Sequence, residues 1–219
     1  MKRIVSTFGI LFIAVVYSFS QYNYYQAPEN TELSKLLYSQ GKTIVKKMWE
    51  VGSMKGEEKI ITTFYAVNYY DYTSPNNIKK GLRIKIENTN KATEDSKIPF
   101  TMLETYIDKD ELTQIIISID NMIKFYKEIE KGKEDVSTVY QTKDNFYFGF
   151  KKEGKDQFAI TEIRFDKAAI KADFKSIEKS LIEIKGIFDN VMNELYLLDS
   201  KEKKGKSSES KEEIIDTDI

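Results

Sequence analysis

PFTMLETYIDKDELTQIIISI, residues 99–119, is where the chain changes its hydrophobic period. Up to Ile107 the residues read as a strand, PFTMLETYI, rich in aromatic and β-branched side chains. From Leu112 onward the apolar positions are Leu112, Ile115, Ile116, Ile119, Ile123 and Tyr126, one face of a helix that ends before Gly132. Between the two periods stand Asp108, Asp110 and Glu111. Asp at the first cap position with Glu three residues later has the form of a capping box, and all three carboxylates face the positive end of the helix dipole. A calcium loop needs more oxygen ligands over about twelve residues and a Gly at its tight turn, which Leu112 and Ile115 preclude. A glycosidase pair needs two carboxylates roughly 5 to 10 Å apart across a cleft, which sequence neighbours do not indicate. The stretch is therefore read as a helix start, with no metal ligand and no catalytic residue assigned.

Working outward, EKIITTFYAVNYYDY at 58–72 reads as a long strand with two largely apolar faces, hence a central one. GLRIKIEN at 81–88 alternates Leu82, Ile84 and Ile86 against Arg83, Lys85 and Glu87, the pattern of a strand with one wet face. The polar residues 88–97 form a loop. Beyond the first long helix come VSTVYQT (136–142), NFYFGFKK (145–152) and QFAITEIRF (157–165), the last two joined through Gly154 as a hairpin. From Ala168 to Leu198 the spacing Ile170, Phe174, Ile177, Leu181, Ile184, Phe188, Val191, Leu195, Leu198 predicts a second, long helix. The result is an α+β fold, an antiparallel sheet of about six strands in two β-β-β-α units, packed with two helices. Residues 33–39 read as a short helix and TIVKKMWEV (43–51) as a further strand within a lead-in segment.

Both ends carry other signals. MKRIVSTFGILFIAVVYSFS, residues 1–20, has a basic start, an apolar stretch and small residues Ser18 and Ser20 before Gln21, the grammar of a secretory signal peptide. The expected organisation is a signal peptide at 1–20, a lead-in at 21–56, one α+β domain at 57–198 and a disordered polar tail at 199–219. The expected location is exported, periplasmic or extracellular, with no membrane span after cleavage. Losing Lys2 and Arg3 takes the formal charge from −1 to −3, and no segment is basic enough for a nucleic-acid partner.

Histidine and cysteine are both absent. That removes Cys/His zinc sites, Cys nucleophiles and Ser–His–Asp triads, and it leaves the exported chain to its packed core rather than to disulfides. No P-loop, dinucleotide fingerprint or nucleophile elbow occurs, and no cofactor is expected. Carboxylate chemistry and Ser–Lys chemistry stay open. Tyrosine is abundant, fourteen in all, with Tyr65, Tyr69, Tyr70 and Tyr72 in one strand and Tyr22, Tyr24 and Tyr25 in the lead-in. They fill both faces of a sheet; the functional alternative is an aromatic platform for a glycan or peptide. The long last helix packs on its own sheet, its alternative use being a seam with a second copy.

Gly81–Ile86, Tyr106–Leu112, Tyr140–Lys143 and Phe146–Gly149 together resemble a family of uncharacterised bacterial exported domains, marked by a YIDxDEL helix start. The similarity covers about residues 55–198, and it departs where family members carry glycines and this chain has Asp144 and Asn145. The resemblance implies an α+β domain and no activity, so it transfers no site residue. The expectation is an uncharacterised exported protein, a non-catalytic binding or structural domain of the cell envelope. Its partner would be a protein or a glycan, and a homodimer through the last helix would be its self-assembly. The alternative is a carboxylate-dependent hydrolase acting on glycans.

Overall fold

The computed structural model describes residues 30–89, 102–166 and 168–209. The expected signal peptide at 1–20, Tyr22, Tyr24 and Tyr25, most of the expected loop at 88–97 and the last ten residues of the expected tail lie outside them.

The chain runs through a short helix α1 (Glu32–Tyr38) and a four-strand meander, β1 (Ile44–Lys55), β2 (Ile60–Asp71), β3 (Ser74–Asn88) and β4 (Met102–Asp108). Helix α2 (Lys109–Ile129) follows without a break. A second meander comes next, β5 (Val136–Gln141), β6 (Phe146–Glu153), β7 (Asp156–Phe165) and β8 (Ala168–Phe174), and then helix α3 (Ile177–Glu209). Each meander is a four-stranded antiparallel sheet with its strands in chain order. The fold is thus α+β as expected, but it is built of two β-β-β-β-α units with eight strands rather than six.

The two extra strands sit where local pattern was ambiguous. β8 occupies 168–174, the stretch expected to open the last helix. Ala168, Ile170, Ala172 and Phe174 are buried while Ala169 and Lys171 are exposed, a period of two. Ile170 and Phe174 stand four apart, so they satisfy a strand face and a helical stripe equally. Ser176, at a φ of 81°, makes the turn from strand to helix. β1, expected as a strand over 43–51 within the lead-in, is an edge strand, with a bulge between Glu50 and Gly52 and a largely exposed surface. At the far end α3 continues to Glu209, through the first half of the expected tail.

The inner faces of both sheets and the two long helices share one core. Leu82, Ile84, Ile86 and Phe64 of the first unit meet Phe146, Phe148, Ile163 and Phe188 of the second, all fully buried. Phe64 stands edge-on to Phe146 and to Phe188, with centroids 6.4 and 6.0 Å apart. The hydroxyls of Thr62 and Thr161 meet at 2.9 Å between the sheets, so each supplies the other's hydrogen bond in a dry setting. α2 and α3 lie antiparallel, tied by Lys127–Glu178 and Lys185–Asp120. The buried ammonium of Lys152 donates to the carbonyls of Ile129 and Gly132, both at 2.6 Å, and so closes the carboxyl end of α2.

The outer face of the first sheet is covered in part by α1. Leu33 and Leu36 pack against Val67, Tyr69 and Tyr106. A Cβ at Gly81 would lie 2.1 Å from the Ile107 carbonyl and 2.7 Å from Leu33, so only glycine permits this approach. Burying two leucines contributes about 1.5–3 kcal/mol each, which a seven-residue helix cannot supply from its own hydrogen bonds.

Candidate functional site

Asp108 stands at the expected start of α2, in an extended conformation, but its side chain makes no bond to that helix. It accepts instead from the backbone N–H groups of Glu32 at 2.7 Å and Leu33 at 3.1 Å. The alternation of β4 explains this. Glu104, Tyr106 and Asp108 point to the outer face of the sheet, where α1 lies. The expected capping box is therefore corrected: the carboxylate caps a different helix.

Glu111, the other half of that box, turns toward the second unit and accepts from the Lys143 N–H at 3.2 Å. Its second oxygen is buried with no hydrogen-bond partner among the described residues. Burial raises its pKa, and the neighbouring Asp108 and Asp110 add to the effect against the Lys143 bond. Asp144, fully buried in the β5–β6 turn, accepts from the Asn30 N–H at 3.0 Å and the Thr31 hydroxyl at 2.8 Å. Burial raises its pKa too, opposed by those hydrogen bonds. Thr31 and Ser34 complete the clasp with a capping box of their own. Carboxylates from both units thus hold the first turn of α1.

Beside this clasp lies an open cleft of about 710 Å³, walled by α1, the start of β3, the start of α2 and Asp199 of α3. Among the described residues five lysines line it: Lys35, Lys79, Lys80, Lys109 and Lys143. Glu32 is shared by Lys35 at 3.1 Å and Lys79 at 3.2 Å. Asp199 is likewise shared by Lys80 at 2.8 Å and Lys109. Asp110 pairs with Lys143 at 3.5 Å. Hydrogen bonds from Lys35 and Lys79 hold the Glu32 carboxyl below the usual range. For Asp199, burial works against ionisation, but the bonds from Lys109 and Lys80 outweigh it and its pKa falls. The carboxyls with raised pKa, Glu111 and Asp144, do not line the cleft. Among the described lining residues the five lysines stand with four carboxylates, Glu32, Asp108, Asp110 and Asp199, of which Asp108 is committed to α1.

None of these lysines was singled out from sequence. They come from four separate elements and share no spacing; the only local cue is the Lys79–Lys80 pair before Gly81. The tyrosines, by contrast, mostly fill the sheet. Tyr69 and Tyr106 are buried edge to face, 6.2 Å between centroids. Burial pushes the Tyr69 hydroxyl up to about 12 and raises that of Tyr106 as well. Tyr106 donates to Glu104 at 2.9 Å, Glu104 pairs with Arg83, and Arg83 lies over the Tyr65 ring at 5.4 Å. Among the described residues no group of three or more acidic side chains is placed to hold a metal ion. No described helix is long and apolar enough to cross a membrane.

The chain matches no protein-family model, no curated protein and no solved structure.

Proposed function

We infer that the chain is an exported, non-catalytic binding domain of the cell envelope and that its ligand enters the lysine-lined cleft. The observation that carries this reading is the pair of shared carboxylates, Glu32 and Asp199, each held between two ammonium groups. They fix four of the lysines in place around an open space. The same commitment supports binding rather than acid–base work: a general acid needs a pKa raised toward the working pH, and Glu32 and Asp199 are lowered. The resemblance to uncharacterised exported domains is part of this proposal, as are export itself and release after Ser20. Ile182, Tyr196 and Leu197, all about half exposed or more on α3, support a homodimer as its assembly.

The test is thermal unfolding of the protein recovered from the envelope of expressing cells, against cell-wall fragments, a glycan panel, calcium and magnesium. A ligand at 100 times its dissociation constant adds about 2.7 kcal/mol, a shift of several degrees. The reading expects a shift that disappears in a Lys79→Gln, Lys143→Gln double variant. A shift untouched by that variant places the ligand elsewhere, and a flat panel sends the search to a protein partner. Sequencing the amino terminus of the recovered chain checks cleavage before Gln21, and light scattering of Tyr196→Glu against the parent checks the dimer.

A further inference from the structure

We propose that residues 21–29, QYNYYQAPE, dock across the outer face of the second sheet and that their tyrosines cover its apolar patch. The inference concerns the chain's own amino-terminal side and is independent of what enters the cleft. Alternation places Val139, Tyr147, Phe158, Ile160 and Arg164 on that face, since Phe146, Phe148, Ala159 and Ile163 of β6 and β7 point into the core. On the first sheet the corresponding face is closed: under α1, Val67, Tyr69 and Tyr106 are at most 2% exposed. On the second sheet no described helix lies on the outer face, because α2 and α3 bury their apolar sides in the shared core. Val139 is 50% exposed there, and Arg164 presents more than half of its side chain to solvent beside Tyr147.

The occupant follows from where the described chain begins. Asn30 is pinned at the β5–β6 turn: its N–H donates to Asp144 and its side-chain amide to the Lys143 carbonyl, both at 3.0 Å. That turn abuts the open face. The Gln141 amide donates to the Asn145 side chain and the Arg164 N–H to the Asn145 carbonyl, both at 3.2 Å. From Asn30 onward α1 runs over the first sheet, and the residues before it start at a corner of the second. Nine extended residues reach about 30 Å, and four strands at about 4.8 Å spacing are about 15 Å across, so the segment spans the face with length to spare. Tyr22, Tyr24 and Tyr25 supply large apolar faces with polar tips, suited to a half-buried patch. A tyrosine ring can also take the side of the Arg164 guanidinium that Tyr147 leaves open. The other stretches outside the described residues start elsewhere. Residues 90–101 are tied at both ends to β3 and β4 of the first sheet, and residues 210–219 follow α3 well past Asp199, which is held at Lys80 of that sheet. The stretch 21–38 is then a strap, its first half on the second sheet, α1 on the first, and its middle held by Asp108 and Asp144.

The chain has no cysteine, so Val139→Cys creates a single thiol on the face, and Ile117→Cys, 47% exposed on α2, is the control. The experiment is the rate of iodoacetamide labelling in the native full chain, with and without Tyr22→Ser, Tyr24→Ser and Tyr25→Ser together. The thiol at position 139 is expected to react about tenfold more slowly with the tyrosines present, at every protein concentration, equivalent to about 1.4 kcal/mol of docking. The thiol at position 117 should react at one fast rate in both backgrounds. The reciprocal measurement starts from the natural chain. Chymotrypsin should cut after Tyr22, Tyr24 and Tyr25 about tenfold faster in a Val139→Ser, Arg164→Ser variant than in the parent, because cleavage tracks the undocked population.

Equal rates at position 139 with and without the tyrosines, both as fast as at 117, would show an open face and overturn the proposal. Slow labelling that survives the triple variant and fades on dilution would overturn it by naming a second copy as the cover. Slow labelling that survives both would name another stretch of the chain and overturn it too. Faster labelling at 117 in the triple variant marks loss of the fold, and the chymotrypsin rates then decide: quickened cleavage in the outer-face variant supports the docking, and equal cleavage overturns it.

Discussion

Replacing Asp108 by alanine removes one side chain at the junction of β4 and α2, and two helices compete for the consequence. The carboxylate accepts from two backbone N–H groups at the start of α1, at 2.7 and 3.1 Å. A hydrogen bond to a charged group contributes about 1.5–3 kcal/mol, and an amino-terminal cap is typically worth about 1. Glu32 is half exposed, so water recovers part of its loss, whereas the Leu33 N–H is buried and recovers little. The net cost of holding α1 is then about 2–3 kcal/mol, or about 30- to 150-fold in the opening equilibrium at 1.4 kcal/mol per decade. The assay is native-state hydrogen exchange with urea unfolding alongside. Amides of residues 32–36 should lose protection by that factor, while the urea midpoint falls by less because the main core does not involve α1. Trypsin should cut at Lys35 sooner than in the parent. Lost protection at residues 109–112 with α1 unchanged would refute the reasoning, because it would mean that Asp108 caps α2 as its position in sequence suggests.

Glu111→Gln tests the buried, unpartnered carboxylate oxygen. A folded pKa above the unfolded value of about 4.3 means that the stability tied to this group is present below that pH and is lost as pH rises through the folded pKa. The variant should match the parent near pH 4 and exceed it at pH 7, read as the difference between the two melting curves; a variant less stable at pH 7 contradicts the sign. Lys152→Met leaves two carbonyls at the end of α2 without their 2.6 Å donors and should cost about 2–4 kcal/mol in urea unfolding, with exchange quickening first at residues 126–132. Gly149→Ala would place a Cβ 2.0 Å from the Thr138 carbonyl, and strands β5 and β6 must part to admit it. A loss of about 3 kcal/mol or more is expected, and a melt within a degree of the parent would show that the pairing tolerates it.

How far the fold was legible depended on whether one residue pattern had one reading. β2, β3, β6 and β7 carry β-branched and aromatic runs with alternation, and all four are strands. α2 was legible because Leu112, Ile115 and Ile119 break the alternation at once, and each is fully buried. β8 was not, because Ala168 and Ala172 are weak signals and Ile170 and Phe174 fit both periods. β1 was read as a strand over 43–51 and runs on to Lys55; as an edge strand it exposes Lys46, Lys47 and Glu50, so its pattern carries little of the core. At the site, the Asp108 position was found and its partner missed, since its partner is set by which face of β4 it occupies and by a helix 75 residues earlier. The lysines of the cleft become neighbours only through the tertiary fold.

The repeat of the two units explains why a cleft forms beside one of them. Both outer faces carry the same stack: Arg83 over Tyr65 at 5.4 Å with Glu104, and Arg164 over Tyr147 at 5.1 Å with Glu162. In the first unit the stack is closed in, Arg83 and Glu104 being mostly buried, while Arg164 of the second is more than half exposed. The difference follows from α1, which lies on the first sheet beside Tyr69 and Tyr106 and ends there only because Asp108 and Asp144 satisfy its first turn. That helix brings Glu32 and Lys35 to the mouth of the space between β3 and α2. Without the clasp the Glu32 bridge to Lys79 would be lost, and one wall of the cleft with it. The buried acids Asp108 and Asp144 thus act by holding the wall that carries Glu32 and Lys35.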